Sequence, residues 1–357
     1  MKIIIFTAYF YPHKGGVENY VRDLFLRINA EKIIITSNTE NAPAYEEWND
    51  FKIYRLECWH LLGKRYPVIK PSEFHKIDNL MNIKPDFIIT NTRFFHLSFL
   101  GARFAQKYNI PYIHIEHGTM HSQIKNPLFR FGGMLYDHTF GRYIIKNAWK
   151  TAGISNASQK FIRHIYNRNT VLMRNAIDVR KFYFERKIFD RKKKSIIYVG
   201  RLIYAKGVQD LLSVLKDFNV NIWIVGDGDY RQKLMKINSK AKFLGIKNSD
   251  EIAKLLSKAD IFVNPSYSEG IPTSVLEAGA SGLPIIATDV GGTREIIKDG
   301  ENGFLIKPKD TEMLRAKIKI LLENEALCRK FSKNIQSKII REFDWKKTRN
   351  VFFDIIK

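Results

Sequence analysis

The sequence predicts an α/β protein made of two doubly wound domains, each with a parallel sheet. Short β-branched runs alternate with helical patterns along the chain, which is typical of strand–helix–strand units. Residues 3–6 are continuously apolar, as expected of a parallel strand that is covered on both faces. A chain of 357 residues is also longer than one hydrophobic core usually supports, and it suits two domains.

In the first half, the apolar residues between 16 and 28 recur at helical spacing, so a helix is predicted directly after the first strand. The strands predicted in this half are 2–7, 32–37, 52–56, 87–90, 111–116 and 151–155.

A charged stretch without a clean period, residues 180–194, separates the halves and predicts a linker. The strands predicted after it are 195–199, 221–225, 241–244, 261–264, 284–288 and 303–306, with helices at 211–218, 250–257 and 274–280. Residues 344–357 predict an amphipathic terminal helix. We therefore expect a first domain over 1–178 and a second over 179–343.

Composition narrows the class of protein. With 45% hydrophobic and 27% charged residues, the chain is neither disordered nor collagen-like. The longest apolar run, 3–11, is about half of the ~20 residues that a membrane-spanning helix needs, and no secretory signal is expected. The two cysteines, Cys58 and Cys328, are too far apart for a disulfide framework or a C-x-x-C zinc site. A cytoplasmic location is expected.

The net charge of +23 is spread over both halves of the chain. Nucleic acid, an anionic membrane surface and an anionic substrate such as a phosphate would each suit it. A general bias toward lysine would also produce it, so charge alone does not identify the partner.

The segment 260–295 holds two carboxylates around a predicted helix start. Glu269 follows a strand, and Glu277 comes eight positions later, inside the helix. The amides of a helix N-terminus favour anions, whereas carboxylates beside it can accept hydrogen bonds from sugar hydroxyls. The alternative is that both are helix-start acids that favour the helix dipole.

Two cations follow the first strand of the second half. Arg201 comes directly after Gly200, and Lys206 lies five residues further on. Arginine offers a planar fork for phosphate oxygens and lysine a point charge, so the two could stabilise a departing diphosphate. Solvated surface cations are the alternative.

The first half offers two further candidates. Gly15 and Gly16 open the first helix and would let a phosphate approach the backbone, although a plain tight turn fits equally well. His117 ends a predicted strand and could contact a sugar or relay a proton, whereas His114 is expected to be structural.

Several motifs are absent. The run from Gly226 to Arg231 has an arginine where a dinucleotide fingerprint needs a small residue, and its acidic residues predict a turn. There is no P-loop, no G-x-S-x-G and no H-E-x-x-H, so a histidine metal cluster is not expected.

Taken together, the motifs resemble glycosyltransferase family 4. They are Gly15-Gly16, Gly200-Arg201 with Lys206-Gly207, Val225-Gly-Asp-Gly228, Glu269 with Glu277, and Asp289-Val-Gly-Gly-Thr-Arg-Glu295. Asn175-Ala-Ile-Asp178 is similar to the family's Asn-Gly-Ile-Asp at the crossover between domains, with Ala176 replacing glycine. The resemblance implies the GT-B fold, two Rossmann-like domains facing across a cleft, with the terminal helix packing back on the first domain.

The resemblance also implies roles. Arg201 and Lys206 would bind the donor diphosphate, Glu277 would hold the ribose, and Glu269 and His117 would lie by the donor sugar. The remaining donor-binding positions would be Gly15, Gly16, Gly200, Gly226, Phe243, Leu244, Gly270, Ile271, Pro272, Thr273 and Ser274, with the base near 243–245 and a further amide from Val275. The family retains the configuration of the transferred sugar and needs no metal or resident cofactor.

The expected activity is transfer of a hexose or N-acetylhexosamine from a nucleotide diphosphate sugar, with UDP as the commonest carrier. The acceptor would be a glycan or a lipid-linked glycan of the cell surface, not nucleic acid. The stretch 125–150 is basic and aromatic and predicts a peripheral contact with an anionic membrane, or else an ordinary helix pair. Two other functions stay open: a sugar-nucleotide 2-epimerase, and a non-catalytic binder of membranes or nucleic acid.

Overall fold

The computed structural model describes residues 1–13, 15–61, 66–121, 127–184 and 193–357. The chain forms two compact units. The first contains Met1–Arg174 and Thr348–Lys357, and the second contains Asn175–Lys347. Most of the predicted linker, the start of the stretch 125–150 and Lys14 lie outside the described residues.

The first unit is built on an eight-stranded sheet with the order β10-β9-β8-β7-β1-β2-β4-β3. All neighbours are parallel except β3 and β4, and a separate antiparallel pair joins β5 to β6. The strands are β1 (Lys2–Phe6), β2 (Glu31–Ser37), β3 (Tyr45–Trp48), β4 (Phe51–Leu56), β5 (Cys58–Leu61), β6 (Tyr66–Ile69), β7 (Phe87–Asn91), β8 (Tyr112–Glu116), β9 (Lys150–Gly153) and β10 (Val171–Leu172).

Helices of this unit connect the strands. In the first, Tyr20, Val21, Leu24 and Phe25 are buried, because the apolar residues repeat at helical spacing. The helices are α1 (Gly16–Phe25), α2 (Phe74–Met81), α3 (His96–Lys107), α4 (Pro127–Tyr136), α5 (Arg142–Asn147) and α6 (Asn156–Ile165). A π-helical turn, Asp137–Gly141, joins α4 to α5.

The second unit contains a six-stranded parallel sheet with the order β13-β12-β11-β14-β15-β16. Its strands are β11 (Ser195–Val199), β12 (Asn221–Val225), β13 (Lys242–Phe243), β14 (Ile261–Asn264), β15 (Ile285–Thr288) and β16 (Phe304–Ile306). The strand order therefore reverses between β11 and β14, as in the doubly wound nucleotide-binding fold. The prediction of two Rossmann-like parallel sheets is confirmed.

Helices cover both faces of this sheet, and two apolar clusters lie beneath them. The helices are α7 (Val179–Phe182), α8 (Val208–Val214), α9 (Arg231–Ile237), α10 (Ser249–Lys258), α11 (Thr273–Ala280), α12 (Thr293–Ile296), α13 (Thr311–Glu323) and α14 (Glu325–Glu342). The next helix, α15 (Trp345–Ile356), lies mostly in the first unit.

Thr348–Lys357, which include most of α15, belong to the first unit. Phe352 is fully buried, and its ring centre lies 5.5 Å from that of Phe25. The hydroxyl of Thr348 donates to the carbonyl of Arg174 at 2.9 Å. In the part of the chain that the structure describes, no helix is both long and apolar enough to cross a membrane.

Candidate active site

The reversal of strand order places two loops side by side in the second unit. One follows β11 and holds Gly200, Arg201 and Lys206, and the other follows β14 and holds Glu269. Ligands of open α/β sheets bind at this position, beyond the carboxyl ends of the strands. The motifs chosen from the sequence therefore converge on the expected edge of the sheet.

An ion pair joins the two loops. Lys206 Nζ lies 2.7 Å from Glu269 Oε1, and the two side chains are only 17% and 12% exposed. The Ser266 hydroxyl lies 2.6 Å from the same carboxylate oxygen and 2.8 Å from Asn264 Oδ1, so its single proton serves one of the two. An ammonium has three donors, so the pairing with Glu269 fixes the direction of the other two.

Backbone contacts hold the loops in register. The Tyr267 amide donates to the carbonyl of Ala205 at 2.8 Å, and the Tyr267 hydroxyl donates to Asp210 at 2.9 Å. Gly207 has φ +64°, and a Cβ at this position would lie 2.0 Å from the carbonyl oxygen of Pro265. A side chain at residue 207 would therefore push the loops apart.

Arg201 is exposed at the end of the β11 loop's first turn. Its carbonyl accepts a hydrogen bond from the Tyr198 hydroxyl at 3.1 Å, which fixes the backbone. Its guanidinium forms no ion pair with any residue that the structure describes. The loop therefore presents one neutralised cation, Lys206, and one uncompensated cation, Arg201.

The loop from Gly270 to Pro272 leads into α11. The Gly270 carbonyl accepts the Gly292 amide at 2.7 Å, and the Asn175 side chain donates to the Ile271 carbonyl at 3.5 Å. Sequence reasoning did not find this role of Asn175, because the two residues are far apart in the chain.

The first turn of α11 was expected to offer amides to the donor. Thr273 is exposed and Ser274 half-buried, and the first amides of a helix have no intrahelical acceptor. The amide of Val275 donates to the Pro272 carbonyl at 3.1 Å. Glu277 lies one turn into the helix and is half-buried.

The predicted base-binding region adjoins the same edge. The amide of Gly226 donates to the Gly245 carbonyl at 2.8 Å, and that of Leu244 donates to Ile224 at 2.8 Å. Phe243 and Leu244 are half-buried. Asp227 accepts the amide of Gly228 through its own side chain, so these acids form a turn as expected.

The first unit brings its own candidates together beside β8. His117 follows this strand, and its ring lies edge-on to Tyr20 of α1 at 4.9 Å between ring centres. His117 Nε2 lies 3.3 Å from Asn91 Oδ1. Burial lowers the pKa of His117 to about 4, so the ring is neutral near neutral pH.

The two glycines at the start of α1 differ. A Cβ at Gly15 would lie 2.3 Å from the carboxylate of Glu18, whereas one at Gly16 would meet nothing within 4 Å. Glu18 is 7% exposed and pairs with His13 at 3.3 Å. Since this carboxylate opposes a phosphate at Gly15, Gly16 is the better placed of the two.

A buried charge network that no sequence motif predicted adjoins the end of β8. Arg93 contacts Glu116 and Asp137, each at 3.0 Å, and all three side chains are at most 3% exposed. Burial opposes ionisation of Glu116, but Arg93 and the hydrogen bonds from His114 and Gly118 outweigh it and hold the pKa of Glu116 well below its usual range. His114 is fully buried within this network, as a structural residue would be.

Two family models match the chain. "Glycosyltransferase Family 4" matches residues 14–181, and "Glycosyl transferases group 1" matches residues 179–338. An uncharacterised glycosyltransferase of Methanocaldococcus jannaschii is 30% identical, over 98% of this chain and 96% of its own.

A relative from Campylobacter jejuni is named N,N'-diacetylbacillosaminyl-diphospho-undecaprenol alpha-1,3-N-acetylgalactosaminyltransferase. It is 32% identical over 51% of this chain and 53% of its own. Among solved structures, the HepE protein of Anabaena in complex with UDP superposes with a TM-score of 0.79, at 20% identity and over 99% of both chains.

Each unit is doubly wound, and the chain shares the GT-B fold with its structural neighbours. The chain belongs to glycosyltransferase family 4. The individual site residues stay predictions, which the proposals below make testable.

Proposed function

We propose that the protein is a retaining, metal-independent transferase that moves a hexose or N-acetylhexosamine from a UDP-sugar to a lipid-linked glycan. The observation that carries the proposal is the Lys206–Glu269 pair at the strand reversal, with exposed Arg201 on the same loop. These groups form a site for a diphosphate rather than for a single charge.

Lys206 and Arg201 would help UDP to leave the sugar. As the bond between C1 of the sugar and the diphosphate oxygen breaks, its electron pair passes to UDP. Lys206 and Arg201 would stabilise that charge without having to move, which is electrostatic catalysis. Because two cations serve this step, no resident metal or cofactor is needed for it.

The anomeric configuration would be retained because the acceptor attacks C1 on the face that UDP leaves. The acceptor hydroxyl would bond to C1 from the side that UDP leaves and pass its proton to the departing phosphate oxygen. No carboxylate nucleophile on the opposite face is then required, unlike in a retaining hydrolase. Glu269 would orient Lys206 and the sugar, and neutral His117 would hydrogen-bond the sugar.

Two comparisons support the choice of substrates. The structural neighbour HepE was solved with UDP, and the relative from Campylobacter jejuni is named for a diphospho-undecaprenol acceptor. Glu277 lies one turn into α11, and it would accept hydrogen bonds from the ribose hydroxyls.

An apolar cavity in the first unit suits the lipid part of the acceptor. It has a volume of about 450 Å³ and is lined by Leu61, Tyr66, Phe94, Phe129, Gly132, Gly133 and Tyr136. Beside it, α4 exposes Leu128 by 75% and Phe131 by 65%, and Arg130 is also exposed. Exposed apolar and basic side chains on one helix favour an anionic membrane surface, where a lipid-linked acceptor resides.

The test is a transfer assay with purified full-length protein. UDP-, GDP- and ADP-linked sugars would be offered with a polyprenyl-diphosphate glycan or with the same glycan free of lipid, each with and without EDTA. We expect one UDP-sugar to be used, faster transfer to the lipid-linked glycan, no effect of EDTA, and a retained anomeric configuration by NMR.

Three outcomes would contradict the proposal. Conversion of the donor sugar without any acceptor would indicate an epimerase. Equal rates with both acceptors would show that the lipid part of the acceptor is not recognised. If no nucleotide sugar is turned over and UDP causes no thermal shift, nucleotide sugars are not the donors.

A further inference from the structure

Three histidines that are distant in the sequence meet in the first unit. His121 lies in the loop after β8, His138 lies in the π-helical turn, and His164 lies on α6. One ring nitrogen from each lies within 4.8 Å of the others. The ring centres are 5.4 to 5.7 Å apart. Sequence spacing missed this cluster because each residue comes from a different element.

Buried Asp137 orients the first of these rings. Its carboxylate lies 2.7 Å from Nδ1 of His121, and it is itself held by Arg93. Nδ1 of His121 therefore carries the proton, and Nε2 points toward the cluster, where it lies 3.3 Å from Nε2 of His164. A carboxylate that fixes a histidine in this way is the usual support of a metal ligand.

The distances suit a small cation with imidazole ligands. Metal–nitrogen bonds of about 2.1 Å in a tetrahedral site place the nitrogens roughly 3.4 Å apart. The separation of 3.3 Å between His121 and His164 matches this. His138 and His164 are exposed, so their rings can turn to complete the site.

We propose that His121, His138 and His164 bind a divalent transition-metal ion, Zn²⁺ above all, with a fourth position open to water. Three neutral imidazoles suit zinc and its neighbours, whereas Mg²⁺ and Ca²⁺ require oxygen ligands. The ion would tie the loop after β8 to the π-helical turn and to α6.

This site neither needs nor replaces the chemistry of Lys206 and Arg201, which belong to the second unit. Its role would be structural or regulatory. The inference therefore stands independently of the proposed transfer reaction, and its test measures metal binding without donor or acceptor.

The test is a calorimetric titration of the full chain, without a histidine tag, by Zn²⁺ near neutral pH. We expect one ion per chain in the wild type and in the control His75→Gln, which removes an exposed histidine of α2. His138→Gln and His164→Gln should each bind at least about tenfold more weakly, as loss of a ligand does. Mg²⁺, which prefers oxygen ligands, should not bind.

A second measurement guards against misfolding. Circular dichroism in EDTA should be the same for the wild type and the variants, since both substituted residues are exposed. Zn²⁺ binding by His164→Gln or His138→Gln with wild-type affinity would overturn the site. So would the absence of saturable binding in the wild type.

Discussion

Lys206 and Glu269 form a largely buried ion pair, 2.7 Å apart, between the loops that follow β11 and β14. The pair makes the two loops one electrostatic unit. A carboxylate beside the proposed diphosphate is tolerable only while Lys206 neutralises it. Removing the lysine therefore does more than remove a cation, because it also leaves an uncompensated negative charge.

Lys206→Ala should lower the affinity for UDP by about 10- to 100-fold, the loss of a charge-assisted hydrogen bond. Adding Glu269→Gln to this variant should restore part of the affinity, because it removes the uncompensated negative charge. A double-mutant cycle by calorimetry measures this coupling. The control Lys236→Ala removes an exposed lysine of α9 and should bind UDP as the wild type does. Additive losses in the double variant would contradict the coupling.

Glu277→Ala should weaken UDP binding by about tenfold, through loss of hydrogen bonds from the ribose to a charged acceptor. The informative ligand is 2′,3′-dideoxy-UDP. The wild type should bind it more weakly than UDP, whereas Glu277→Ala should bind the two alike. Glu312→Gln, a change on the exposed face of α13, is the control. If the variant still discriminates between the two ligands, Glu277 does not hold the ribose.

The sequence predicted the strands of the second unit well because they are buried. β11, β12 and β14 have the predicted bounds, and each is apolar along most of its length. β3, β5 and β6 were missed because each has only four residues, too few for a periodic pattern, and lies at an edge or in an isolated pair. Such strands depend on their neighbours more than on their own composition.

The candidate site, too, could be predicted only in part from the sequence. Chain order and parallel topology predict that Lys206 and Glu269 share an edge, because both follow strands that meet there. Their contact, the support of Ile271 by Asn175, and the histidine cluster depend on side-chain placement across elements. No spacing rule contains that information.

Gly207→Ala should destabilise the second unit and disrupt the site together. The residue has φ +64°, and an added Cβ would lie 2.0 Å from the Pro265 carbonyl oxygen. Gly300 is a matched control, with φ +72° and no atom within 4 Å of the added Cβ. Gly300→Ala should lower the free energy of unfolding by about 1 kcal/mol, the cost of an alanine with positive φ, and should keep the affinity for UDP. Gly207→Ala should cost more and lose UDP binding. If the two variants lose equal thermal stability and Gly207→Ala still binds UDP, the loops adjust freely to the added side chain.

His117 should remain neutral well into acid, because burial lowers its pKa to about 4. In the unfolded chain a histidine titrates near 6.5. As the pH falls from about 6.5 to 4, the unfolded chain therefore binds a proton at this position that the folded chain does not. The free energy of unfolding then decreases through this window, by at most about 1.4 kcal/mol per pH unit from this group. The stability that depends on a neutral ring is fully present above the window.

An NMR titration of the imidazole resonances measures this directly. The resonance that disappears in His117→Gln should titrate near pH 4 in the wild type. The same variant should show a shallower loss of stability between about pH 6.5 and 4 in urea denaturation, since the proton uptake is gone. His75→Gln should keep the wild-type slope. A His117 resonance that titrates near 6.5 would mean that water reaches the ring. The ring would then be protonated at mildly acidic pH and could not serve as a neutral hydrogen-bonding partner of the sugar there.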